Sequence, residues 1–503
     1  MKKAKKVVGA VATVTVFGVF TRLIGFLFKI YLSRVLGAEA LGVYQIALSV
    51  FFLFSSLSCS GVPLLLSRKT AENNALGENK TFSLFTSALI ICTVSSLTLF
   101  GLLTLFHSRL TFLFSDAAAL PIFLIMIPAL VSSSIYCVIR GWLWGEKFFT
   151  AFSATETVEE ALRILFGVFF LSGLIASLSG VYAIAWAFTV SDVLVAVILF
   201  IVFFAKGGKL SKPSDIKDIL IPSVPVTAMR VCSGLIGTLI AFLLPLRLVA
   251  AGMTSAEATA SYGRIAGMAV PLLNAPNAII GSLCIVLIPE LSASMVKKDY
   301  VNLNKQLSLG INFSFLISGL FIVVFSSLGR EITSFLYADS ISGEYLQVAT
   351  YTMIPVCLTQ ITQSALNSIG KEYYAFLNYL IGNVVMLSII YFLPALIGIY
   401  SVAAASFVCT GIIGVLNVVS LRKFTKLDAG FLKYALITLI FTVPSALICE
   451  WLCSLFAPLL GAFAFIPAGA VGAICYALAC FATNVLDVRG VVVGRFRLSK
   501  RRT

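Results

Sequence analysis

Apolar residues run along this chain in stretches of about 20, parted by short polar gaps. In the first half the stretches fall at 8–33, 43–66, 82–106, 119–140, 152–174, 180–204 and 219–246. In the second they fall at 264–289, 308–328, 346–369, 374–394, 398–420, 432–456 and 463–484. Each is long enough to cross the roughly 30 Å hydrocarbon core of a bilayer as a helix. In lipid every backbone group must be bonded internally, and these runs are too long and too uniformly apolar for barrel strands. The pattern predicts an all-α polytopic membrane protein of about fourteen transmembrane helices.

The polar gaps alternate in charge. The first tail carries Lys2, Lys3, Lys5 and Lys6, and every second gap after it is basic: Arg68, Lys69 and Lys80, then Arg140 and Lys147, then Lys206, Lys209, Lys212 and Lys217. The series continues with Lys297, Lys298 and Lys305, with Lys371, and with Arg422, Lys423, Lys426 and Lys433. It ends in a tail holding Arg489, Arg495, Arg497, Lys500, Arg501 and Arg502. The gaps between hold little beyond Arg109, Arg247 and Arg330. Cationic loops stay on the cytoplasmic side, so the alternation places both termini in the cytoplasm and makes the helix number even. The opening MKKAKK resembles the front of a signal peptide, but the run behind it is interrupted by Arg22 and has no small-residue cleavage site, so it reads as a retained first helix.

The chain also repeats. Gly145-Glu146-Lys147-Phe148 returns as Gly370-Lys371-Glu372-Tyr373, Ile127-Pro128 as Ile354-Pro355, and Pro63 as Pro289, all about 226 residues on. That spacing is six helices with their loops, and six is even, so the halves share one orientation. The expected organisation is a six-helix lobe over 1–215, a second over 216–430, and two further helices with a basic tail over 431–503.

Composition narrows the chemistry. The 503 residues are 60% hydrophobic and 11% charged, with net charge +15. Because the cations sit in loops between apolar runs, that charge points to membrane topology and not to nucleic acid. The eleven cysteines lie almost entirely inside apolar runs and read as small buried hydrophobes; His107 stands alone, which argues against zinc or histidine catalysis. No GxxxxGK[ST] loop is present, so the chain itself is not expected to hydrolyse ATP.

Ionisable residues inside the apolar runs carry the functional signal. Arg22 and Lys29 are seven apart in the first helix and share a stripe with Gly18 and Gly25. This stripe either pairs with an acid on a neighbouring helix or lines a cavity for an anion. In the fifth helix Glu156, Glu160 and Arg163 share a face, with Glu159 placed to pair with Arg163 at i+4. They form either structural glue or a gate whose pairs break and re-form. Asp192 in the sixth helix is near mid-depth, as a partner of Arg163 or Arg230 or as a group that titrates during ion coupling. Arg230 in the seventh helix follows the Pro222/Pro225 pair, a plausible bend, and Arg264 lies near the outer end of the eighth. An interior with more cations than acids suits an anionic head such as a diphosphate, which arginine binds with directional hydrogen bonds.

The run TRLIGFLFKIYLSRVLGAEALGVYQIALS, then SSLSCSGVPLLLSRKTAENNALG, IRGWLWGEKFF with ETVEEALRILFG, and YGRIAGMAVPLLNAPNAIIGSLCIVLIPELS, resembles the stage V sporulation protein B family and its polysaccharide-flippase relatives. That family belongs to the superfamily that includes MurJ-type lipid II flippases and MATE exporters. The resemblance covers nearly the whole chain. It implies two six-helix lobes with two added helices, alternating access, and movement of an undecaprenyl-diphosphate-linked sugar to the outer leaflet. By the same analogy Arg22 and Arg264 are the best headgroup ligands; the mid-membrane depth of Arg230 adds it to them, with Lys29 guarding the outer end. The Arg-Asp pair of the MurJ first helix is absent, since Leu23 follows Arg22, which favours a related lipid-linked sugar over lipid II itself.

The competing readings are a MATE-like exporter of small molecules, which calls for acids facing a cationic drug, and a membrane-embedded glycosyltransferase or polymerase, for which no outer loop is long enough. No cofactor is expected apart from a coupling ion, H+ or Na+. The expected partners are the lipid-linked oligosaccharide, the bilayer and cell-wall synthesis proteins, with no nucleic acid. The expected setting is a monomer in the bacterial cytoplasmic membrane.

Overall fold

The computed structural model describes residues 2–77, 80–173, 180–213, 216–425 and 431–483. Lys426 and the basic tail from Arg489 onward lie outside the described residues, as do the side chains of Lys2, Lys3, Lys5, Lys6 and Lys433. Each of the fourteen apolar stretches is helical over most of its described length, and no strand occurs among the described residues. Among the described residues nine helices are long and apolar enough to cross a membrane, or up to eleven if each bent pair is one span. The protein is a multi-pass helical membrane protein.

Contacts gather the chain into two compact units, residues 1–267 and 268–503. The first unit contains α1 (Lys2–Cys59), α2 (Val62–Leu76), α3 (Thr81–Leu105), α4 (Ala119–Met126), α5 (Ala129–Gly145), α6 (Phe149–Leu171), α7 (Gly180–Ala205), α8 (Lys217–Ala250) and α9 (Ser255–Gly263). The second contains α10 (Val270–Leu273), α11 (Ala275–Val296), α12 (Tyr300–Tyr337), α13 (Ile341–Ala349), α14 (Met353–Ser368), α15 (Glu372–Phe392), α16 (Pro394–Ile397), α17 (Tyr400–Thr425), α18 (Phe431–Leu460) and α19 (Phe465–Ala482). The helix that follows residue 216 packs against α1 and α2 of the first unit. The last two helices, α18 and α19, pack on α12 of the second.

Local sequence explains the breaks. Leu36-Gly37-Ala38-Glu39-Ala40-Leu41 is almost all strong helix former, so the gap expected between the first two helices shrinks to one residue. That residue is Gly37, with φ 77°, a backbone geometry that glycine enters at little cost. Pro128 removes a backbone donor, and α4 and α5 meet there at a 46° bend. Thr254 caps α9 through a reciprocal pair: the Glu257 N–H donates to its hydroxyl, and its own N–H donates to the Glu257 carboxylate.

The repeat is visible in backbone detail. At the end of α5 the Phe148 N–H donates to the Leu143 carbonyl at 2.9 Å, and Lys147 has φ 62°. At the end of α14 the Lys371 N–H donates to the Leu366 carbonyl at 2.8 Å, and Gly370 has φ 72°. Both are left-handed C-terminal turns closed by the same long-range bond. They align Lys147 with Gly370, a register of 223, where letter matching had set Gly145 opposite Gly370. The backbone turn fixes the register better than the matching letters do.

In the first unit the basic segments gather at one end. Lys69 Nζ donates to the Asp218 carbonyl at 2.7 Å, Ser83 Oγ to the Lys212 carbonyl at 2.7 Å, and Asn74 Nδ2 to Glu146 Oε2 at 2.9 Å. At the opposite end the Thr259 hydroxyl donates to Asp116 Oδ2 at 2.8 Å, close to the Gly37 turn, where Gly42 lies against the Thr259 carbonyl.

Candidate functional site

Helix α6 is the seat of the ionic groups, because three carboxylates and an arginine fall within two turns of it. It packs along α1 in the same direction. Thr157 and Thr21 share a hydroxyl hydrogen bond at 2.8 Å, and a Cβ placed on Gly25 would lie 2.7 Å from Glu160 Oε1. Only glycine at 25 lets that carboxylate lie against α1 without moving.

Arg163 stands at the centre of a network. Its Nη2 meets Glu159 Oε1 at 2.7 Å and Asp192 Oδ1 at 3.3 Å, and its Nη1 meets Glu160 Oε2 at 3.3 Å. The guanidinium lies 4.9 Å from the Phe188 ring centre. Of the two partners the sequence left open for Asp192, the structure selects Arg163. Asp192 is the most deeply placed acid, with its side chain 1% exposed. A buried carboxylate is strongly disfavoured unless paired, which accounts for its seat against a guanidinium.

A second arginine completes the network. Arg140 Nη1 meets the other oxygen of Glu159, Oε2, at 2.8 Å, and its Nη2 donates to the Thr155 carbonyl at 3.1 Å. Glu159 is thus clamped between two guanidiniums. Sequence reading counted Arg140 among loop cations because of its nearness to Lys147. It lies instead on α5, more than a turn before the end, and the tight 146–148 turn folds α6 back alongside it. The signal available was its position inside the predicted helix 119–140, with the acids at 156–160 on the next helix after a short turn.

The remaining predicted residues fall into three places. Glu156 and Arg230 share a cleft of about 550 Å³ with Arg140, inside the first unit. Its polar lining includes Ser55, Ser56, Ser60, Ser67, Ser133 and Ser134. Apolar walls come from Phe52, Leu64, Trp144 and Phe152. Arg22 stands within electrostatic reach of Glu156, and Lys29 within reach of Glu160. Arg264 lies elsewhere. It follows Gly263, which lies against the Ala38 carbonyl, so it belongs to the end of the unit near Gly37. Along α1 that is about 16 residues, or roughly 24 Å, from Arg22. The structure therefore groups Arg22 with Glu156 and places Arg264 far along the same helix.

The charges of the network close. Glu159, Glu160 and Asp192 face Arg140, Arg163 and Lys29, three negative groups against three positive ones. Left over in and beside the cleft are Arg22 and Arg230 against the single Glu156. Among the described residues neither of those two arginines makes an ion pair, and no group of three or more metal-ligating side chains occurs.

This architecture has solved counterparts. A lipid II flippase MurJ in an inward closed conformation aligns with a TM-score of 0.69 at 15% identity, over 94% of this chain and 98% of that one. An inward-facing multidrug resistance MATE transporter of the MOP superfamily aligns at 0.67 and 17% identity, over 81% of this chain and 96% of that one. The fold is thus that of the MurJ and MATE transporters. Residues 7–295, more than half of the chain, match the profile of the polysaccharide biosynthesis protein family, and the chain belongs to that family. Among its relatives, stage V sporulation protein B of Bacillus subtilis (strain 168) is 26% identical over 443 residues, 83% of this chain and 84% of that protein. Sporulation protein YkvU of the same organism is 24% identical over 392 residues, 75% of this chain and 86% of that protein.

Proposed function

We propose that the protein is an alternating-access flippase. Its substrate is an undecaprenyl-diphosphate-linked sugar, moved from the inner to the outer leaflet of the cytoplasmic membrane for cell wall, spore cortex or surface polysaccharide synthesis. The observation that carries this reading is the charge balance of the first unit. Once the buried network is neutralised, Arg230 in the cleft and Arg22 beside it stand as two guanidiniums against the one carboxylate of Glu156, which suits an anionic head and disfavours a cationic drug. Family membership and the MurJ-like fold support the same substrate class.

The proposal carries three further parts: the basic loops place both termini in the cytoplasm, the chain works as a monomer, and a coupling ion, H+ or Na+, supplies the drive. Arg22 and Arg230 meet the diphosphate, while Arg264 guides the head toward the outer face and Lys29 stays with Glu160 in the network. A second reading, an ion-coupled exporter of small molecules, draws on Asp192, a buried carboxylate of the kind that binds a coupling ion, and on the MATE neighbour.

Depletion of the protein in cells separates the two. The flippase reading expects a polyprenyl-diphosphate-linked sugar to accumulate on the inner leaflet. Unchanged precursor pools together with lost efflux of small cations would instead select the exporter.

A further inference from the structure

The lining of the first unit's cleft combines aromatic and aliphatic side chains with serine hydroxyls, and its charged members are Arg140, Arg230 and Glu156. Its volume of about 550 Å³ is that of a small-molecule site. Ser55, Ser56 and Ser67 make no side-chain hydrogen bond among the described residues, so their hydroxyl protons are available to an acceptor. Arg230 is exposed and lines the cleft, whereas Arg140 is held by Glu159 and the Thr155 carbonyl. One guanidinium is free to move to a ligand and one is fixed.

We propose that this cleft, within the first unit alone, is a receiving site for an isoprenoid diphosphate, in which Arg230 closes on the phosphates and Glu156 limits how tightly they are held. The proposal rests on the flippase reading and deepens it. The phosphates lie over Arg140 and the serines, where Arg230 reaches them with a forked donor. The first isoprene units lie against Phe52, Leu64, Trp144 and Phe152. Glu156 is the counter-charge on the same surface, and Arg22 and Arg140 both act on it. An incoming diphosphate competes with that carboxylate for the same cations. A site on a transport path must bind well enough to fill and weakly enough to empty, and a built-in competing anion produces that balance. Loss of Glu156 is therefore expected to tighten binding, the opposite of what loss of a ligand does.

The test uses the full chain in lipid nanodiscs. Retained radiolabelled farnesyl diphosphate measures affinity, with Trp144 emission as the local signal, and inorganic diphosphate and farnesol are run separately. Arg230→Ala is expected to weaken farnesyl diphosphate binding about tenfold or more, since one hydrogen-bonded charge is lost, and Arg230→Lys to recover part of it. Glu156→Gln is expected to tighten it by about threefold or more. Thermal melting beside each assay excludes misfolding, and if Arg230→Ala melts early, Arg230→Gln and Glu156→Gln carry the test. Unchanged binding in the Arg230 variants, or weaker binding in Glu156→Gln, overturns the proposal. Inorganic diphosphate binding as tightly as the farnesyl form would overturn the lipid assignment and make the cleft a free-phosphate site. The same preparations are scored for flipping of a lipid-linked sugar. Flipping without cleft binding removes the cleft and keeps the flippase, whereas cleft binding without flipping does the reverse.

Discussion

The helices α5, α6 and α7 of the first unit correspond, by the shared left-handed turn, to α14, α15 and α17 of the second, and the two trios are fastened by different chemistry. In the first, Arg140, Glu159, Arg163 and Asp192 tie all three helices with ions. In the second, Asn378 Nδ2 donates to Asn417 Oδ1 at 2.9 Å and to the Ser420 hydroxyl at 3.3 Å, and Asn417 Nδ2 donates to the Thr362 hydroxyl at 3.3 Å. Neutral amides and hydroxyls thus suffice to join this arrangement of helices. Buried ion pairs add little net stability over well-packed neutral groups, because desolvation offsets their attraction. The first unit's charges are accordingly better explained by what they do beside the cleft than by what they hold up.

The comparison breaks most visibly at Arg163. Arg163→Ala leaves Asp192 and Glu160 without their guanidinium partner and is expected to destabilise the first unit by about 3–5 kcal/mol, read as lost membrane level and a lower melting temperature. Removing Asp192 and Glu160 together with Arg163, as Asn, Gln and Leu, should restore much of that level. Equal damage in the single and triple variants would show that the groups are not coupled and would remove the contrast with the second unit.

A neutral network loses less. Asn417→Ala in the second unit removes the bonds to Asn378 and Thr362, which keep the Ser420 hydroxyl and the Leu358 carbonyl as partners, and is expected to cost about 1–3 kcal/mol for the two bonds, measured in the same melts. A loss as large as that of Arg163→Ala would mean that amides and ions are equally committed to stability in the two trios.

The smallest effect sits at the matched turns. Lys147 occupies the left-handed position that Gly370 fills in the other unit. Lys147→Gly should raise stability by at most about 1 kcal/mol, and Gly370→Ala should lower it by about the same amount. Changes of the same sign at both positions would contradict the alignment of the two turns.

What the sequence revealed, and what it hid, follows the range of each interaction. The pairing of Glu159 and Glu160 with Arg163 is local, set by one helical turn, and could be read directly. The depth of Asp192 was legible, but its partner was not, because selecting Arg163 over Arg230 depends on how α7 lies on α6. Arg140 escaped because a cation near a loop looks the same whether it faces water or folds back onto a neighbouring helix. Arg22, Arg230 and Arg264 all looked like cavity cations, but the register of α1 against α9 puts Arg264 at the far end. The unbroken run of α1 through Ala38–Leu41 was overlooked because the basic-gap count requires a turn there, and Gly37 supplies one in a single residue.

The central claim is that the protein moves a lipid-linked sugar by an anion-accepting cleft in its first unit. The most direct measurement is flipping of a fluorescent polyprenyl-diphosphate-linked sugar in proteoliposomes, scored by a membrane-impermeant quencher and normalised to folded protein. The account predicts protein-dependent flipping that falls about tenfold or more in Arg230→Ala, with the folded amount unchanged. Flipping at the parent rate in Arg230→Ala, or none in the parent protein, would contradict it.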